Sequence, residues 1–234
     1  MKAIGFDTGP LISLVTNNLL WILEPLKEHF GGEFFITPAV RREIIDRPFE
    51  TKRFELEAFQ ISQLLRNRVV SVETNEKIIQ TRKKLMDLAN HSYKARGQWL
   101  RIVSDAEIEM LAADAVLDAE ATVIDERTAR LLLENPYILR DLLKNKLHCN
   151  VLINKNNIED FRKILKDVQI IRSTELVTVA YKLGLLDSYL VEKSEIVKEP
   201  RKKLLDAALW AVKIRGCSIS SKEIESIIKS ECKP

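Results

Sequence analysis

Apolar and polar positions change period repeatedly along this chain, and each change marks an element. Residues 2–6 read as a short buried strand, apolar after Lys2 and running into Asp7. Leu11, Ile12, Leu14 and Val15 then recur at helical spacing, and a second helical run covers Leu19–His29 until Gly31 and Gly32 break it. Glu33–Thr37 is a second strand. Thr37 and Pro38 suit the N-cap and first position of a helix over Ala39–Asp46, with Val40, Ile44 and Ile45 inward, Glu43 in its second turn and Pro48 as its stop. Phe54, Ala58, Ile61 and Leu65 give the apolar face of a helix over 51–66.

Val69–Val72 is a third strand, followed by a long helical pattern from Asn75 to about Arg96 and a loop around Gly97. Ser104 and Glu107 stand at capping-box spacing before an Ala- and Leu-rich helix, Asp105–Asp118. Ala121–Asp125 is a fourth strand, again ending in an aspartate, and Glu126 opens a helix through Leu133. Beyond it the pattern predicts helices over Pro136–Leu147 and Ile158–Lys166, short strands over Val151–Asn154 and Val168–Ile171, and helices over Thr174–Leu185, Arg201–Arg215 and Lys222–Lys229. Gly184 and Gly216 fit as C-caps.

Strands alternating with helices imply a mostly parallel sheet covered on both faces: a three-layer α/β/α fold, with strand order about 3-2-1-4-5. Residues 1–186 read as the main domain, with 136–167 as an insertion, and 187–234 as a helical extension. The extension's stripe of Leu204, Leu205, Ala208, Leu209 and Val212 packs either on the domain or on a second copy in a homodimer.

Composition narrows this picture without redirecting it. The chain has 234 residues, is 46% hydrophobic and 30% charged, and holds only 7 Gly and 7 Pro, which suits a compact, helix-rich protein. A net charge of +3 is too mild to argue by itself for nucleic acid or membrane. Cys149, Cys217 and Cys232 are scattered and odd in number, so reduced thiols in a cytoplasmic protein are expected. His29, His91 and His148 have no partner at ligand spacing. No signal peptide is visible, and no apolar run reaches the roughly 20 residues of a membrane span.

The chemistry lies in the acids. Asp7 and Asp125 end strands that become neighbours at the switch point of such a sheet, where ligands bind. Glu43 and Asp105 hang over the same edge from helix starts. Clustered carboxylates must either protonate or be neutralised by a cation. Oxygen donors without His or Cys suit Mg²⁺ or Mn²⁺, whose chemistry on a phosphate is phosphodiester hydrolysis. Arg41, Arg127 and Arg130, with Arg42, Arg82, Lys83 and Lys84, are candidates for holding a nucleic-acid backbone. Trp99 and Tyr93, beside Lys94, Arg96 and Arg101, either stack on an unpaired base or pack in the interior.

Four motifs in order carry a family resemblance: Gly5-Phe-Asp7-Thr8, Thr37-Pro-Ala-Val40 leading to Glu43, Ser104-Asp105-Ala-Glu107, and Val123-Ile-Asp125-Glu126-Arg127. Together they resemble the successive motifs of PIN-domain nucleases, and Thr174–Leu186 is similar to the helix closing one subgroup of that family. The resemblance implies a Rossmann-like sheet and Mg²⁺- or Mn²⁺-dependent ribonuclease activity. It assigns Asp7, Glu43, Asp105 and Asp125 as catalytic metal ligands, with Thr8, Ser104 and Glu107 supporting them. Glu107 either completes the capping box or shares the role of Asp105. RNA is the implied substrate, and a role as the toxin of a toxin–antitoxin pair implies an antitoxin protein as partner. The alternative is a PIN-like module that binds RNA or protein without cleaving it. An acidic phosphate-loop phosphotransferase would want a second Asp-x-Gly, and a haloacid-dehalogenase-type phosphatase would want Asp where Gly9 stands.

Overall fold

A computed structural model describes residues 2–190 and 198–232. In chain order, β1 (Ala3–Phe6) leads into α1 (Thr8–Thr16), a 3-10 turn (Leu20–Ile22), α2 (Leu23–Phe30) and β2 (Glu33–Ile36). There follow α3 (Pro38–Arg41), a π-helical turn (Arg42–Asp46), α4 (Arg47–Thr51), α5 (Glu55–Arg66), β3 (Ser71–Val72) and α6 (Glu76–Asn90). Next come β4 (Tyr93–Ala95), β5 (Gln98–Trp99), α7 (Asp105–Leu117), β6 (Ala121–Val123), α8 (Arg127–Glu134), α9 (Pro136–Leu147) and β7 (Val151–Ile153). The chain closes with α10 (Lys155–Ile164), β8 (Ile170–Ile171), α11 (Ser173–Lys182), a 3-10 turn (Leu185–Tyr189), α12 (Pro200–Ile214) and α13 (Ser221–Glu231).

The main sheet is parallel throughout, in the order β3-β2-β1-β6-β8. This is the expected order, because β6 and β8 are the fourth and fifth strands of the sequence pattern. The fold is a three-layer, Rossmann-like α/β/α arrangement. Phe6, Phe34, Phe35 and Ile36 are buried, as strands covered on both faces require. Gly5 lets the sheet pack this tightly: a Cβ there would lie 2.5 Å from Met110 Cε and 2.9 Å from Phe35 Cζ. The 1-to-6 neighbour pair puts the switch point between β1 and β6, and the helices α1 and α8 leave the sheet on either side of it.

Three expectations need correction. Pro48 does not stop the helix that holds Glu43. Helical backbone continues from Pro38 to Thr51 because a π turn intervenes, with the Arg47 N–H donating to the Arg42 carbonyl. The wider turn accommodates a ring that has no N–H and would collide with a carbonyl of the preceding α turn. Phe54 does not face the core. It sits with φ 63° just before α5 and is exposed, while Ala58, Ile61 and Leu64 turn inward.

The helix expected from Asn75 to Arg96 ends at Asn90, and the chain enters a second sheet, antiparallel, in the order β5-β4-β7. Arg96 (φ 50°) and Gly97 (φ 81°) make the hairpin turn, the left-handed pair that matches the twist of two antiparallel strands. β7 joins the hairpin from within residues 136–167, so that segment is tied into the domain by a strand pair. The C-terminal helices dock on their own chain, burying Leu205, Leu209, Val212, Cys217, Ile219 and Ile224. Among the described residues no helix is long and apolar enough to cross a membrane.

Candidate functional site

Asp7 is the residue where β1 becomes α1. Its backbone is extended (φ −75°, ψ 168°), its N–H still donates to the Val123 carbonyl across the sheet, and its side chain makes no capping bond to the helix. The carboxyl group is buried, and Oδ1 has no hydrogen-bond partner. Its pKa is pushed up from 3.8 to about 7. Burial is the main cause, the charge of Glu107 comes next and that of Glu43 adds to it; the amides of Thr8 and Gly9 at the helix start pull the other way. An unpaired buried carboxyl confronted by two more acids is a costly feature, and a protein keeps such features mainly where function needs them.

Glu43 reaches this group through Thr8, whose hydroxyl donates to Glu43 Oε2 at 2.9 Å. The π turn that carries Glu43 also carries the chain past Pro48, so Glu43, Arg47 and Glu50 stand at i, i+4 and i+7. With Ala39, Arg42 and Asp105 they line a cleft of about 320 Å³. Two arginines and three acids thus meet at its wall.

Glu107 forms both arms of the capping box: it accepts from the Ser104 N–H at 2.7 Å, and its own N–H donates to Ser104 Oγ at 3.2 Å. It is also buried, and its pKa is raised, chiefly by burial, with Glu126 and Glu43 contributing against the cap bonds of Ser104. Capping and proximity to Asp7 therefore coexist in one side chain. Asp105 is placed differently. It lies half-exposed on the cleft wall, ion-paired to Arg82, which also reaches Glu109 at 3.3 Å.

Asp125 is a neighbour of Asp7: a Cβ on Gly9 would stand 3.5 Å from Asp125 Cβ and 4.0 Å from Asp7 Oδ2. Its oxygens are turned elsewhere. Oδ1 accepts from the Ser173 N–H and Oδ2 from the Ser173 hydroxyl, both at 2.8 Å. Asp125 thus closes the N-terminus of α11, and its backbone carbonyl accepts from Ser218 at 3.1 Å, fixing the joint between α12 and α13. Cys217 packs against it, with its thiol pushed up to about 11 by burial and by the Asp125 charge.

The basic residues also divide. Arg127 is exposed at the start of α8. Arg130 is largely covered, reaching the Ser218 carbonyl at 3.5 Å and Glu134 at 3.7 Å. Arg41 is exposed and faces Asp46 at 3.7 Å, while Arg42 and Arg47 line the cleft. Arg47, Glu50 and Ser173 stand beside these acids and were not singled out in the sequence. The i, i+4, i+7 spacing from Glu43 carries a signal for the first two, hidden by reading Pro48 as a stop.

Among the described residues, no three His, Cys, Asp or Glu side chains converge closely enough to grip one ion as they stand. The arrangement holds one free buried carboxylate oxygen with two acids nearby, and two further acids engaged by protein partners. Compared with family models, curated proteins and solved structures, this chain matches none.

Proposed function

We propose that this protein is a divalent-cation-dependent ribonuclease of the PIN type, acting on single-stranded or loop RNA at the edge of the sheet where Asp7 lies. The observation that carries the reading is Asp7: a buried carboxyl with an unpartnered oxygen, raised to about 7 by burial and by Glu107 and Glu43. Oxygen donors alone, with no His or Cys beside them, fit Mg²⁺ or Mn²⁺ in chemistry. Asp7, Glu43 and Glu107 would hold the ion, and Asp105 would join them on leaving Arg82. When bound, such an ion withdraws charge from a phosphate and lowers the pKa of water.

The chain's own residues supply the rest. To hold a cation Asp7 would have to be ionised, since only the ionised form is a ligand. The Thr8 hydroxyl fixes one oxygen of Glu43 by a 2.9 Å hydrogen bond. Arg42 and Arg47 on the cleft wall offer the cationic groups that a phosphate backbone needs beside an acidic centre. Asp125 holds α11 against the sheet beside Gly9 and so positions Asp7.

A second reading, a binding module without catalysis, is favoured by a specific observation: Asp125 and Asp105 already have protein partners. One assay separates the two. Cleavage of a panel of unstructured RNAs is measured with Mn²⁺ or Mg²⁺, with EDTA, and with Asp7→Asn. The ribonuclease reading expects cation-dependent cleavage that Asp7→Asn lowers at least 100-fold. Wild-type protein inert on every RNA leaves the binding module standing, and a variant as active as wild type refutes cleavage at Asp7.

A further inference from the structure

The second sheet presents a face that the acidic cleft does not use. In register, Lys94 lies opposite Trp99 on one side and Leu152 on the other. The alternate residues Tyr93, Ala95 and Val151 are buried, and the Tyr93 hydroxyl donates to the Pro136 carbonyl at 2.8 Å. The cross-strand row of Lys94, Trp99 and Leu152 therefore faces outward. Trp99 is 44% exposed and Leu152 60%. Lys94 Nζ stands 5.3 Å from the Trp99 ring centroid, and His91 meets the same ring edge-on at 5.5 Å.

Charge separates this face from the rest of the molecule. The two segments that build it, 88–104 and 142–158, contain no Asp or Glu, in a chain that has 34 of them. They hold six Lys and Arg: Lys94, Arg96, Arg101, Lys144, Lys146 and Lys155. Arg96, at the hairpin tip, reaches the Leu147 carbonyl at 3.2 Å, which brings the hairpin to the C-terminal end of α9 and its exposed Lys144 and Lys146. Acids stand at all four ends of these segments, Asp87, Asp105, Asp141 and Glu159, and Asp87 lies 3.1 Å from His91.

We propose that this face binds single-stranded RNA, with Trp99 stacking on an unpaired base and Lys94, Arg96 and Arg101 on the adjoining phosphates. Exposed aromatic surface with surrounding cations fits a polyanion that has flat apolar bases, because stacking and backbone attraction then act together. An apolar protein partner would leave six cations without a role. Trp99 precedes Asp105 by six residues, so the platform lies within about 20 Å of the cleft wall. That separation is short enough for one RNA strand to span. The inference rests on the ribonuclease reading for its substrate, yet it is tested without cleavage.

The experiment measures fluorescence anisotropy of a labelled 12-nucleotide unstructured RNA in EDTA, with the full chain carrying Asp7→Asn. Adding Trp99→Ala is expected to weaken binding about tenfold, Trp99→Phe to recover most of it, and Lys94→Ala to weaken it severalfold and flatten its salt dependence. Trp210→Ala, an exposed tryptophan on α12, is expected to bind as the parent does. Binding unchanged by Trp99→Ala, equal affinity for blunt duplex RNA, or a dimer that Trp99→Ala dissociates while RNA binding stays the same overturns the proposal. Trp99-dependent binding beside a wild type that cleaves nothing would sink the nuclease reading and leave the platform standing. Cation-dependent cleavage with Trp99-independent binding would do the reverse.

Discussion

Replacing Asp7 by Asn should stabilise the protein, and should do so only above acidic pH. The native carboxyl keeps its proton up to about pH 7, whereas in the unfolded chain it ionises near 3.8. Between those values the native state binds more protons than the unfolded state, so stability falls as pH rises through the window. Above it both states are ionised, and the native state carries the full cost of a buried, repelled charge. At about 1.4 kcal/mol per pH unit, that cost is on the order of 4 kcal/mol. Asn is uncharged, caps a helix as well as Asp, and avoids it. Urea unfolding of both proteins in EDTA should give equal stabilities near pH 4 and a gap of that order at pH 8. In a chain of this size the gap corresponds to roughly 8–15 °C in melting temperature. Adding Mn²⁺ at pH 8 should raise only the wild type, by linkage to binding. A variant no more stable than wild type at pH 8, or a gap that does not change with pH, would mean that Asp7 has partners the structure does not give it.

Asp125→Ala should have the opposite sign. It strands the Ser173 N–H and hydroxyl in the interior and should cost about 2–4 kcal/mol in the same urea experiment. Arg172→Ala should loosen α13, because Arg172 joins Glu175 at 2.7 Å to Glu223 at 2.9 Å; limited trypsin digestion should cut near Gly216–Ser220 several times faster. Acid should act likewise: Glu223 is held down at about 2, and Glu175 below its ordinary value, by the Arg172 guanidinium against the pull of burial, so the contact stabilises above about pH 4.5 and is lost as pH falls toward 2. Gly5→Val should overpack the sheet against Phe35 and Met110 and cost about 1–3 kcal/mol, read as a lower urea midpoint with an unchanged slope.

The main sheet was legible because its signals are local. Each strand is a short apolar run bounded by turn residues, and Thr37-Pro38 and Ser104–Glu107 announce their helices within four residues. The second sheet was not legible. Tyr93, Lys94 and Ala95 alternate over only three positions, too few to break the helical reading before them, and their partner strand begins 56 residues after Ala95, at Val151. Pro48 misled for a related reason: whether a proline ends a helix depends on the geometry of the preceding turn, and a π turn is an answer the sequence does not announce.

The acids show where such reading reaches its end. From sequence, Asp7 and Asp125 are equivalent, each an aspartate closing an apolar strand. In the fold they are neighbours with opposite circumstances. Asp125 spends both oxygens on Ser173, a partner 48 residues away that no spacing rule connects to it. Asp7 has no such partner and meets Glu107 and Glu43 instead. A motif can therefore nominate acids, but only the inventory of donors around each one separates a carboxylate that holds the fold from one left free for a ligand. By that criterion the carboxylate left free is Asp7, with Glu43 and Glu107 beside it, and Asp125 is a brace for the N-terminus of α11. The stability experiments distinguish these roles by sign, before any substrate is known.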